Sequence, residues 1–168
     1  MKDLVRRATT SLWILAVLSS TSVYALDPNR ELTQYVQRIW QSQQGLPDAT
    51  IVDIAQSRSG YLWLATEAGL VRFDGVRFTN VERLLPDAPP AATWTRSVFE
   101  DESGTLWLGT NEMGVYALGP EESTHYTTKD GLPPDPAVCI TPGAGGVVWV
   151  CSEHGLGRIV ADAVRLAV

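Results

Sequence analysis

The chain has 168 residues, a net charge of −6, 45% hydrophobic residues, two cysteines and two histidines. That length points to one domain. The acidic balance argues against nucleic acid, whose phosphates demand a basic surface, and against docking on an anionic membrane; the sparse His and Cys lack the spacing of a metal site.

In chain order, the first 25 residues read as an export signal. Lys2, Arg6 and Arg7 precede the apolar run Leu12-Trp13-Ile14-Leu15-Ala16-Val17-Leu18, then small polar residues, then Val23-Tyr24-Ala25, a small-x-small cleavage site. The alternative, an uncleaved anchor, is disfavoured because seven apolar residues fall far short of the roughly 20 that span a bilayer. Cleavage removes three basic residues and one acidic residue, leaving 10 Lys and Arg against 18 Asp and Glu, a net charge near −8. Residues 35–40 are expected to form a lone strand, the outer strand of a blade otherwise absent.

From residue 45 onward the chain repeats. Ser59-Gly60-Tyr61-Leu62-Trp63-Leu64-Ala65-Thr66 returns as Ser103-Gly104-Thr105-Leu106-Trp107-Leu108-Gly109-Thr110, and more loosely as Gly145-Gly146-Val147-Val148-Trp149-Val150-Cys151-Ser152. The tryptophans are 44 and then 42 residues apart, and Gly45-Leu46-Pro47 recurs 86 residues later as Gly131-Leu132-Pro133. Two markers thus agree on one period. A period of about 40–50 residues suits propeller blades or paired-helix solenoids. Short β-branched and aromatic runs between Gly, Pro, Asp and Ser decide for strands, and no sustained period of 3.6 supports helices.

Each unit is expected to be a four-stranded antiparallel blade. The first has strands at 51–55, 61–65, 70–73 and 76–79, a tight turn at Ser57-Arg58-Ser59-Gly60, and Asp74-Gly75 as a two-residue hairpin signal, because both positions tolerate positive φ. The second begins with 94–99 and ends with strands 114–118 and 124–128. The third covers 137–168, its last strands at 156–160 and 164–168. The expected fold is all-β: about three blades of an incomplete β-propeller over residues 26–168, plus the lone strand.

These repeats resemble the two-component-regulator propeller family, whose units carry an Asp-opened turn, a Gly, then Leu-Trp-Leu-Ala-Thr-like and Gly-Leu-x-Arg-Phe-like segments. Residues 59–75 match closely, through Leu62-Trp63-Leu64-Ala65-Thr66, Gly69-Leu70, Arg72-Phe73 and Asp74-Gly75. The first unit departs in opening with Ser57 rather than Asp. The second carries an extra residue in Asn111-Glu112-Met113 and lacks the Arg; the third has Ser152 in place of Thr. The resemblance implies the ligand-sensing part of a periplasmic sensor, whose output module in the parent is a histidine kinase or a diguanylate cyclase. It implies no catalysis by this chain and no cofactor. The expected partners are an unknown periplasmic ligand or protein, with further blades or other copies of the chain needed to close the ring. Two other functions stay open: an exported lyase- or hydrolase-like propeller, and a non-catalytic scaffold or truncated remnant.

Trp63, Trp107 and Trp149 recur at one site, which fits either an aromatic ligand platform or packing between blades; repetition at one position is what packing demands. Glu67, Asn111, Glu112, Glu153 and His154 fall in the connection between the second and third strands of their blades. Loops at one end of a repeat array often form its binding face, so these five are the candidate ligand-binding residues, set against ordinary loop polarity. Asp48, Asp87 and Asp135 are expected to share that face. His154 lacks an orienting third partner for acid–base work, and no catalytic or metal-binding residue is assigned. Cys139 and Cys151 sit on facing strands of the third blade; a disulfide and two free thiols are both open.

Overall fold

The computed structural model describes residues 38–166 except 48, 49, 86, 135, 161 and 162; the expected signal peptide lies outside the described residues. Its strands are β1 (Ile51–Gln56), β2 (Leu62–Thr66), β3 (Gly69–Phe73), β4 (Phe78–Asn80), β5 (Thr95–Glu100), β6 (Leu106–Thr110), β7 (Val115–Leu118), β8 (Ser123–Tyr126), β9 (Ala137–Pro142), β10 (Val148–Ser152), β11 (Gly155–Val160) and β12 (Ala163–Leu166). They form three four-stranded antiparallel meanders, β1–β4, β5–β8 and β9–β12. The first strands lie side by side, β1 packing against β5 and β5 against β9. This is the arrangement of three consecutive propeller blades.

Local chemistry sets each turn. The first connection of every blade is a closed loop: Ser57, Asp101 and Gly143 donate their N–H to the carbonyls of Tyr61, Thr105 and Val147 at 2.8, 3.0 and 2.7 Å. Gly60, Gly104 and Gly146 supply the positive φ these loops need. The connection between second and third strands is capped by a hydroxyl. Thr66 Oγ1 donates to the Gly69 carbonyl at 2.7 Å, Thr110 Oγ1 to that of Gly114 at 2.8 Å, and Ser152 Oγ to that of Gly155 at 3.3 Å. Serine at 152 therefore preserves the function of the repeat's threonine.

Two sequence expectations need correction. Residues 38–40 are not in a strand, and 35–37 lie outside the described residues; Ser42–Gln44 form a 3-10 turn closed by Gly45 at φ 90°. Thr128–Asp130 repeat that turn before Gly131 at φ 100°, so each Gly-Leu-Pro marker is a helical turn capped by a left-handed glycine. The hairpin at 74–75 is also shifted by one residue. Asp74 N–H donates to the Arg77 carbonyl at 3.2 Å, and only Gly75 has positive φ, so the two loop residues are Gly75 and Val76. Asp74 is needed for its carboxylate, which accepts from the N–H groups of Val76 and Arg77 at 2.8 and 2.7 Å.

Cores form between blades. Trp63, Ala65 and Leu70 of the first pack against Val98, Leu106, Leu108, Tyr116 and Leu118 of the second. Trp107, Val115 and Ala117 pack against Ile140, Val148, Val150 and Ile159 of the third. The other face of the first blade buries Leu64, Val71 and Phe73, with Trp40 edge-on to Phe73 at 5.0 Å.

The first strand of every blade skips one residue in its pairing, Val52, Arg96 and Val138 in turn. Such bulges leave the extra residue unpaired and bend the strand. Two residues past the second and third bulges, edge-strand amides connect the blades: Val98 N–H donates to Asp53 Oδ2 at 2.9 Å, and Ile140 N–H to Ser97 Oγ at 3.3 Å. Ser97 Oγ itself lies 3.1 Å from Asp53 Oδ2. A side chain following each of the first two bulges thus accepts from the amide two residues past the next.

Candidate ligand face

In a four-stranded meander, the connection between second and third strands emerges at the same end as the connection from one blade to the next. Glu67, Asn111, Glu112, Glu153 and His154 all lie in the former, as expected from sequence; Asn111 is half-buried and the other four are exposed. Backbone bonds join the two kinds of connection. Glu67 N–H donates to the Thr50 carbonyl at 3.2 Å and Asn111 N–H to the Trp94 carbonyl at 2.9 Å.

Asn111 and Glu112 share one site. With Ala91, Ala92, Thr93, Trp94 and Met113 they line a cavity of about 300 Å³. Its wall contains Ala92 at φ 62°, the one non-glycine with positive φ among the described residues, a conformation that costs about 1 kcal/mol or more. Arg96 is not part of the lining but contacts two residues that are. Its Nε donates to Asn111 Oδ1 at 2.9 Å, and its guanidinium lies over the Trp94 ring, 4.8 Å from the centroid. Glu67, Glu153 and His154 stay on the turns of their own blades, outside this cavity. Asp87 is exposed, and Asp48 and Asp135 lie outside the described residues.

A larger cavity of about 750 Å³ lies at the opposite end, between the first turns of the second and third blades. Three carboxylates, Glu100, Asp101 and Glu102, line it; Asp101 already accepts from Ser103 N–H, Ser103 Oγ, Thr105 N–H and Trp107 Nε1, and Glu100 Oε1 from Arg58 N–H.

Two of the three repeat tryptophans lie in the cores between blades. Trp63 and Trp107 are each 8% exposed between blades, whereas Trp149, at the same register, is only half-buried. Cys139 and Cys151 pair directly across β9 and β10 with Cα atoms 5.2 Å apart, and their sulfurs are bonded. Among the described residues no group of three or more His, Cys, Asp or Glu could hold a metal ion.

Residues 45–68 and 89–112 match the family model described as two component regulator propeller. Those two segments are two component regulator propeller repeats. Each matched segment runs from the inter-blade connection through the first two strands into the turn that holds Glu67 or Asn111. No curated protein matches. Among solved structures, one described as the extracellular domain of a hybrid two component system from B. thetaiotaomicron has 25% identity and a TM-score of 0.64, over 78% of this chain and 20% of that one. A second such domain from that organism has 23% identity and a TM-score of 0.59, over 69% of this chain and 18% of that one. A virginiamycin B lyase from Staphylococcus aureus has 17% identity and a TM-score of 0.57, over 73% of this chain and 43% of that one; that likeness is one of fold. The chain spans about a fifth of the length of the two extracellular domains.

Sequence reasoning missed Trp94 and Arg96. Superposing the three units would have found them, because Thr50 and Pro136 stand in place of Trp94, and Val52 and Val138 in place of Arg96.

Proposed function

We propose that these two component regulator propeller blades form part of the periplasmic, ligand-sensing region of a signal-transduction receptor, and perform no catalysis themselves. The supporting observation is the match of two successive blades to that family, together with the 25% identity to an extracellular domain of a hybrid two component system. In the parent receptor a histidine kinase or diguanylate cyclase carries the output, and further blades or other copies of the chain cover the open faces. The ligand, a periplasmic small molecule or protein, enters at the end that holds Asn111 and Glu112. Export is supported by the basic start, apolar run and cleavage site of residues 1–25. Among the described residues no helix is long and apolar enough to cross a membrane.

The test is to follow the reading frame in genomic DNA past the codon for Val168. Continuation through further blades into a membrane helix and a transmitter module is the expected result. A stop codon directly after Val168 overturns the receptor assignment.

A further inference from the structure

The two junctions inside this chain show what one blade asks of the next. The residue after each bulge supplies an oxygen to the following blade's first strand: Asp53 Oδ2 accepts from Val98 N–H at 2.9 Å, and Ser97 Oγ from Ile140 N–H at 3.3 Å. The residue in register with it on the second strand stays small. Ala65 is fully buried there, and a Cβ on Gly109 would stand 3.0 Å from the Ala137 carbonyl of the third blade.

In the third blade both positions are cysteine. Cys139 stands in register with Cys151 as Asp53 does with Ala65 and Ser97 with Gly109, and the two sulfurs are bonded. The disulfide therefore lies on the face where a following blade's first strand would rest. It replaces an oxygen acceptor with a sulfur committed to another bond, and it adds bulk where the inner junctions hold a methyl group or nothing. The face around it is open: Leu156 is 44% exposed, and Cys139 is exposed too. The first strand of the first blade is open on the opposite side. Ile54, the counterpart of the buried Val98 and Ile140, is 57% exposed, and its N–H turns to Asp53 Oδ1 of its own chain at 2.9 Å. Each open face is of the kind that covers the other, because the chain already joins that pair of faces twice.

On the receptor assignment above, which lets further blades or other copies cover these faces, we propose that the third blade docks the first blade of a second copy of this chain, and that the Cys139–Cys151 disulfide holds this contact weak until it is reduced. The reductant is a dithiol. One of its thiolates attacks a sulfur of the pair, its second thiol closes the reagent's own disulfide, and two electrons and two protons leave Cys139 and Cys151 as thiols. The Cys139 thiol then stands where Ser97 has its hydroxyl, a weaker acceptor of the same shape. The Cys151 side chain is released to another rotamer. Docking of this kind is head-to-tail, so every copy keeps one open face and the assembly grows unless a face is blocked.

The test is sedimentation velocity of the full chain over a range of concentrations, oxidised and after treatment with dithiothreitol. Reduction should tighten self-association about tenfold or more, the effect of relieving overpacking at one buried position. Cys139→Ser with Cys151→Ala copies the inner junctions. This double variant should associate as tightly as the reduced chain with or without dithiol, and it decides the question should reduction unfold the parent. In its background Leu156→Asp and Ile54→Asp should each weaken self-association about tenfold or more. An equimolar mixture of the two should form a one-to-one dimer, because each retains the face the other lacks. Equal association of the oxidised chain and the double variant overturns the inference, and so does a mixture that stays monomeric. Either failure leaves the receptor assignment standing, since the reading frame past Val168 tests that separately.

Discussion

The indole Nε1 of Trp107 donates to Asp101 Oδ2 at 2.8 Å, joining the second strand of its blade to the turn that precedes it. The equivalent pair in the first blade is Trp63 and Ser57. Ser57 Oγ reaches the Tyr61 amide at 3.0 Å, but a hydroxymethyl group is too short to reach the indole as well. Trp63 Nε1 is buried without a hydrogen-bond partner. In the third blade Gly143 has no side chain, and a Cβ there would stand 2.7 Å from Trp149 Nε1.

Ser57→Asp should therefore stabilise the chain. An unsatisfied buried donor costs about 1–3 kcal/mol, and restoring its acceptor should recover roughly 1 kcal/mol, a rise in Tm of a few degrees for a chain of this size. Thermal unfolding of the variant measures it directly; an unchanged or lower Tm would show that the Trp63 donor is not the limiting defect.

Asp101 makes stability depend on pH. Burial pushes its carboxyl up, but hydrogen bonds from Ser103, Trp107 and Thr105 more than reverse this and hold it below the usual aspartate value. A carboxyl lowered in the folded state contributes stability that is complete above the unfolded value near ~3.9 and is lost as pH falls through the folded one. Asp101→Asn should thus destabilise the chain at pH 7, and the gap from the parent should close below about pH 4. Urea midpoints at pH 7 and pH 3 test this, and an equal gap at both would exclude the charge as its source.

Asp53 should act between blades rather than within its own. Asp53→Ala removes the acceptor of Val98 N–H and the partner of Ser97 Oγ, at a cost of about 1–3 kcal/mol. Amide exchange at Val98 should quicken markedly, while amides paired between β2 and β3 change only with global stability. Uniform acceleration across the blades would assign Asp53 a purely local role.

Leu70, Val115 and Leu156 occupy one register position in successive blades, opposite Ala65, Gly109 and Cys151. Leu70 and Val115 are 1% and 0% exposed beneath the next blade, whereas Leu156 is 44% exposed. Leu70→Ala should cost about 2–5 kcal/mol. Leu156→Asp should leave monomer stability within about 0.5 kcal/mol and reduce self-association in light scattering at fixed concentration. Matching losses of stability in both variants would mean that Leu156 is already covered.

Much of this architecture is legible along the chain because its causes are local. Gly60, Gly104 and Gly146 mark turns that need positive φ. Thr66, Thr110 and Ser152 bond carbonyls only three or four residues away. Asp74 misled because an Asp-Gly pair serves two turn frames, and only the Asp74–Arg77 bond separates them. The repeat period likewise announced the blades before any contact was known.

The sequence alone determined the period, the strands within each blade and the end at which the candidate loops emerge, since alternation, turn chemistry and meander connectivity act over a few residues. The tertiary structure decided what crosses between blades: burial of Trp63 and Trp107, acceptance of the Val98 amide by Asp53, and the clamping of Arg96 by Trp94 and Asn111. The Asp53–Val98 bond joins residues 45 apart in the chain, and Arg96 meets Asn111 15 residues away. Such contacts exist only once the strands have been stacked and bent at their bulges, so no local pattern of residues encodes them.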